Sequence, residues 1–126
     1  MTKVIYYTTS KGENPVEIFL ESLQKQQKAK IFRIFQYIEF YGLSSVLPHV
    51  KKLTGTPLWE IRILGQDNIR ILYIGFRQDS VLLLHGFIKK KQKTPLREIN
   101  LALQRLNEYK NKIGRASCRE RVYVLV

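Results

Sequence analysis

"LWEIRILGQDNIRILYIGFRQDSVLLLHGFI", residues 58–88, decides the fold. Three runs rich in aliphatic and aromatic residues, at about 58–64, 69–76 and 81–88, are parted only by "GQDN" and "RQDS". Runs of this kind favour strands, and short breaks carrying Gly, Asn, Asp and Ser favour hairpin turns. The stretch predicts a meander of three antiparallel strands. In the first run, alternation puts Trp59, Ile61 and Ile63 on one face and Leu58, Glu60, Arg62 and Leu64 on the other. In the second, Arg70 shares its face with Leu72, Ile74 and Phe76. In the third, alternation groups His85 with Val81, Leu83 and Phe87. The last two runs are apolar on both faces, so both faces of the sheet are expected to be covered.

On the N-terminal side, "KVIYYT" (3–8) reads as another strand. Asn14, Pro15 and Glu17 supply a helix start, with Asn as the cap and Pro at the first helical position. That helix runs to about residue 23. A second follows over 25–41, where Ile31, Ile34, Phe35, Ile38 and Tyr41 recur at helical spacing and Gly42 stands ready to end it. Residues 43–57, "LSSVLPHVKKLTGTP", read as an irregular connection. On the C-terminal side, Thr94-Pro95 caps a last helix to about Tyr109, with Leu96, Ile99, Leu103 and Leu106 on one face. The order is β-α-α-β-β-β-α. It predicts an α+β fold, a sheet packed on the two N-terminal helices with the last helix on its second face.

The rest of the chain sets bounds. Its 126 residues and 44% hydrophobic content fit one domain. Residues 1–110 form that domain. In 111–126, "IGRASCRERV" resembles a translated vector or read-through segment, so this stretch is set apart as a non-native tail. The competing reading is a C-terminal strand at "VYVLV". No apolar run approaches the ~20 residues of a membrane span. The apolar run Val4–Tyr7 is too short for a signal peptide. A single cysteine, Cys118, excludes an internal disulfide framework. A cytoplasmic protein is expected.

The net charge is +12, from 22 basic and 10 acidic residues. Such an excess points to a polyanionic partner, nucleic acid or an acidic protein. Other chemistry is poorly provided for. His49, His85 and Cys118 have no metal-ligand spacing, so neither a metal nor another cofactor is expected. There is no Gly-rich phosphate loop and no nucleophile elbow. Glu60, Asp67 and Asp79 are isolated from one another. What remains is cationic: Lys51, Lys52, Arg62, Arg70, Arg77, Lys89, Lys90, Lys91 and Lys93. An Arg beside three apolar residues suits a cleft floor or a buried ion pair, here with Glu60 or Asp67. Arg62 and Arg70 can face each other across the "GQDN" hairpin, a repulsion best tolerated where a phosphate sits between them. The lysines of "KKKQK" read as a solvated turn or as a third arm of that anion site. His85 on an apolar face reads first as a core residue, and His49 in its loop is the freer imidazole.

"VKKLTGTPLWEIRI", then "NIRILYI", then "LLHGFIKKKQKTP" with its following helix resembles the RelE/HigB superfamily of bacterial toxins, closest to a HigB-like branch related to phage-derived proteins. The resemblance spans residues 3 to about 110. It implies a curved antiparallel sheet and the toxin of a type II toxin–antitoxin system. The activity implied is metal-independent endonuclease cleavage of mRNA on the ribosome, which blocks translation. It also implies a cognate antitoxin, HigA-like with a helix-turn-helix domain, that alone would bring the complex to DNA. By position, Arg62, Arg70 and Lys90 (or its neighbour Lys89) match the family's catalytic basic residues. Lys51, Lys52, Lys89 and Lys93 are expected to bind the substrate. Where the family often places a Tyr or His as acid or base, this chain has Gln92, Lys93, Thr94, Pro95 and Leu96. Two other functions remain open: a ParE-like inhibitor of DNA gyrase, and a catalytically silent basic module that binds nucleic acid or antitoxin.

Overall fold

The computed structural model describes residues 2–63, 68–76, 79–90 and 93–124. Strand β1 (Lys3–Tyr6) leads to helices α1 (Pro15–Glu21) and α2 (Lys25–Tyr41). A 3-10 helix (Leu43–His49) and a short strand β2 (Val50–Lys52) follow. Then come β3 (Trp59–Ile63), β4 (Ile69–Phe76), β5 (Ser80–Ile88) and helix α3 (Leu96–Val124). The helix signals act as read. The Asn14 side chain accepts from the Glu17 amide at 3.1 Å, with Pro15 at the first helical turn. Gly42, at φ 83°, ends α2 and donates its N–H to the Ile38 carbonyl.

The five strands form one sheet in the order β1-β5-β4-β3-β2. It is mixed, not wholly antiparallel as expected: β1 runs parallel to β5, while β2, β3, β4 and β5 pair antiparallel. The meander is set by its hairpin turns. β1 meets β5 across most of the chain's length, where no turn dictates direction. β2 was hidden in the stretch read as irregular, since three residues between Pro48 and Gly55 give too little alternation to see. β5 lies between β1 and β4 and is covered by α1 and α2 on one face and by α3 on the other, which explains why "SVLLLHGFI" is apolar on both faces.

Each face has its own core. Val16 and Leu20 of α1, Ile31, Phe35 and Ile38 of α2, and Val46 cover Ile61, Ile63, Ile69, Ile71, Tyr73, Val81 and Leu83. On the other face, Ala102, Leu106 and Tyr109 of α3 cover Leu58, Leu72, Ile74, Leu82, Leu84 and Phe87. Helix α3 continues past the expected end near Tyr109 and through residues 111–124, so "VYV" is helical and not a strand.

One irregularity moves a site residue. Leu72 pairs with His85 but Tyr73 pairs with Leu83, leaving Leu84 unopposed in a β-bulge. A bulge puts two successive side chains on one face. Val81 and Leu83 therefore face α1 and α2, while His85 and Phe87 face α3 with Leu84. The expected grouping of His85 with Val81 and Leu83 is corrected by that one extra residue.

Gly86 shows how closely α1 approaches the sheet. A Cβ there would lie 2.4 Å from Phe19 Cδ2. Gly86→Val is expected to cost about 1–3 kcal/mol, the usual penalty of overpacking. Urea unfolding would measure it. Phe19→Ala in the same chain should recover part of the loss, and additive effects would show that the ring is not the obstacle.

Candidate functional site: a cationic cluster on the sheet

Three adjacent strands and the end of a fourth bring charges together on the α3 face. Arg62 of β3 is the register partner of Arg70 of β4. Glu60, two residues before Arg62, shares its face, and Lys51 of β2 is opposite Glu60. Lys89 follows β5 directly. Its amide donates to the Asn68 carbonyl at 3.0 Å, which fixes it beside the start of β4. Asn68 holds a left-handed φ of 47°, which Asn adopts more readily than most residues.

Arg70 is not the open floor of a cleft. It is buried, and its Nε lies 3.2 Å from Glu60 Oε1, outside hydrogen-bond alignment. Its Nη1 donates to the Ile69 carbonyl at 3.1 Å. Glu60 is 1% exposed, and its other oxygen accepts from Thr94 Oγ1 at 2.6 Å. The paired reading of Arg70 is the one observed, with Glu60; Asp67 lies outside the described residues. Thr94, read as a helix cap, has its hydroxyl turned to Glu60. That bond ties the segment after β5 back to β3.

Arg62 is half-buried, and no carboxylate is paired with it among the described residues. Lys89 lies in the field of the whole cluster. Burial first, then Arg70, Lys51 and Arg62, push its ammonium pKa below 10.5, with only Glu60 opposing them. Four cations around one carboxylate, already engaged on both oxygens, leave a strong local excess of positive charge.

The other expected binding residues stand apart. Lys52 pairs with Trp59, so it leans to the opposite face. Its Nζ donates to the Thr56 carbonyl at 2.7 Å and lies 5.7 Å from the Trp59 ring. Lys90 and Lys93 are exposed beyond the end of β5. Arg77 and Lys91 lie outside the described residues. His49 is half-buried at the end of the 3-10 helix, on the far side of the sheet.

A polar network beside the cluster was missed in the sequence. His85 Nε2 is 2.6 Å from Glu98 Oε1, and Arg105 Nη1 is 3.1 Å from His85 Nδ1. Arginine can only donate, so Nδ1 must accept and Nε2 must carry the proton. His85 is therefore neutral. Burial, with the Arg105 charge adding to it, lowers its pKa against the pull of Glu98. Arg105 also donates to the Leu84 carbonyl at 2.9 Å, so the network fastens α3 to the bulge. The signal available was an i, i+7 spacing of Glu98 and Arg105 on one helix face, but nothing in it pointed to His85.

The depressed pKa has a consequence for stability. The unfolded chain binds this proton near pH 6.5 and the folded chain only at lower pH. The contribution of neutral His85 is full above pH 6.5 and is lost as pH falls through the folded-state value. His85→Gln should flatten the stability profile between pH 7 and 5. Parallel urea midpoints of the two proteins over that range would show His85 to be uninvolved.

Among the described residues no group of three or more His, Cys, Asp or Glu could hold a metal ion, and no helix is long and apolar enough to cross a membrane. A small α+β domain that gathers arginine and lysine on neighbouring strands has the electrostatic footprint of a protein that meets polyanions. The chain belongs to the phage-derived protein Gp49-like family (DUF891), which matches residues 18–107. That family is of the RelE/HigB-like toxin kind. The match takes in β2 to β5 and every member of the cluster. No curated protein matches the chain.

Proposed function

We propose that this chain is the toxin of a type II toxin–antitoxin system, of the HigB branch, and that it cleaves mRNA on the ribosome. The observation that carries the reading is the Arg62–Arg70 register pair, with Lys51 and Lys89 beside it. Two arginines directly opposite on neighbouring strands repel each other. Glu60 offsets one of them. A substrate phosphate would offset the other.

The chemistry needs little more. The 2′-OH of one nucleotide loses its proton and attacks the adjacent phosphorus. The bond from phosphorus to the 5′ oxygen breaks, and that oxygen takes up a proton. The products are a 2′,3′-cyclic phosphate and a 5′-OH. Negative charge gathers on the phosphoryl oxygens in the transition state, where Arg62 and Lys89 can stabilise it without a metal. Arginine stays protonated and is no base. Glu60 is buried with both oxygens engaged. Lys89, with its lowered pKa, is the group best placed to take the 2′-OH proton. The ribosome would contribute the positioning of the message.

In this reading the partner is a HigA-like helix-turn-helix antitoxin, and DNA is met only through that complex in the cytoplasm. Residues 1–110 carry 18 basic and 9 acidic residues, and this excess favours association with an acidic segment of the antitoxin, with rates that fall as salt rises. The test is induction of the chain in growing bacteria with mapping of message ends. New 5′-OH ends in translated message, lost when translation is blocked, support the proposal. Intact message with altered plasmid supercoiling would replace it with gyrase inhibition, and no toxicity at all would leave a silent binding module.

A further inference from the structure

On the face of the sheet opposite the cluster, α2 and the 3-10 helix border an open pocket of about 340 Å³. Ile34, Val46 and Ile63 give it an apolar lining, and Lys30, Arg33, Tyr37 and His49 complete the wall. Ile63 follows Arg62 on β3, so alternation puts the two on opposite faces. The cavity is thus separate from the site already described. His49 Nδ1 is buried with no hydrogen-bond partner among the described residues.

The surface around the cavity has a definite chemistry. Helix α2 exposes Tyr37 and Tyr41 one turn apart, with 6.1 Å between their ring centroids, and sets Lys30 and Arg33 beside Tyr37 on the cavity wall. Exposed rings interleaved with cations are what a single strand of nucleic acid needs: rings to stack bases, cations to hold phosphates. The volume lies within the ~300–1,000 Å³ of small-ligand pockets. An aliphatic floor suits the face of a base. An acidic peptide would answer Lys30 and Arg33 but leave the rings of Tyr37 and Tyr41 unused.

We propose that this cavity seats one nucleotide of single-stranded RNA, its base against Tyr37 and the apolar lining and its phosphate on Lys30 and Arg33. The molecule then holds RNA on two faces of one sheet. This second contact is a matter of binding alone and is measured without any cleavage, so it stands or falls apart from the nuclease reading.

The experiment uses the full chain and two probes. Uridine 5′-monophosphate, followed by NMR, should shift the ring resonances of Tyr37 and His49. A short fluorescein-labelled oligouridylate, followed by anisotropy, should bind Tyr37→Ala roughly fivefold or more weakly, the least that loss of one stacked base implies. Tyr37→Phe should keep the affinity. Lys30→Ala with Arg33→Ala should reduce the salt slope by about 1.4, two phosphate contacts on a single strand. These side chains are exposed, and near-identical unfolding midpoints would confirm that the fold is intact. Shifts confined to the face that bears Arg62 and Lys89 would overturn the proposal. So would oligoglutamate, at matched charge, shifting His49 as strongly as the nucleotide does, since the cavity would then read charge alone and an acidic protein would be its occupant.

Discussion

Arg70→Ala is expected to unfold more readily than the parent chain, by about 3–5 kcal/mol, because it strands a buried carboxylate. Glu60 is 1% exposed, its Oε1 faces Arg70 Nε at 3.2 Å, and without that guanidinium the Thr94 hydroxyl is its one hydrogen-bond donor among the described residues. The two charges lie on a face packed with Leu58, Leu72 and Ile74, where water cannot replace the missing partner. Denaturant midpoints measure the loss. Exchanging both partners for leucine should recover most of it, since a buried pair replaced by apolar groups of similar size is often neutral. A single Arg70→Ala variant with the parent's midpoint would show that the pair is not structural. The double variant keeps the fold but also removes the Thr94 tie and the Glu60 charge beside Lys89, so it reports on stability and not on the part Arg70 plays in cleavage.

How far the fold was legible follows from what strands and helices write into a sequence. β4 and α2 were found at their observed limits because each shows its period over many residues, and Asn14, Pro15 and Gly42 punctuate the helices. The direction of β1 was not legible. Parallel and antiparallel neighbours demand the same alternation, and only a short turn between them tells one from the other. β2 was too short to show a period at all. The bulge at Leu84 is one residue long, yet it transfers His85 to the other face, because a period of two has no tolerance for an insertion.

The site was legible only as far as register could be guessed. The "GQDN" turn made Arg62 and Arg70 neighbours, and the structure has them as register partners. The same logic could not place Lys52, whose side depends on the unseen β2, nor order the lysines after β5, where no ladder continues. Lys89 is the one held, by the Asn68 carbonyl, while Lys90 is exposed. The proposed weight therefore moves from Lys90 to Lys89. The network of His85, Glu98 and Arg105 joins a strand to a helix across the interior, and contacts of that kind leave no periodic trace.

Arg62→Ala is expected to lower message cleavage about 10²–10³-fold, the loss typical of one preorganised donor to a developing oxyanion. Unlike Arg70 it is half-buried and is paired with no carboxylate among the described residues, and its removal relieves the repulsion with Arg70. The variant should therefore be at least as stable as the parent, which makes it the cleanest probe of the cluster. Lys89 divides binding from proton transfer. Lys89→Arg keeps the charge and the phosphate contact but cannot lose a proton near neutral pH. The parent's cleavage rate should rise with pH as the ammonium of Lys89 loses its proton, at lower pH than an ordinary lysine would. Lys89→Arg should lie well below it with the rising limb gone, while RNA affinity stays near the parent's. Rates from purified ribosome complexes over a pH series would measure both effects. Full cleavage by Arg62→Ala would remove the cluster from the reaction, and an unchanged pH profile in Lys89→Arg would leave the cluster as a phosphate clamp with the base elsewhere.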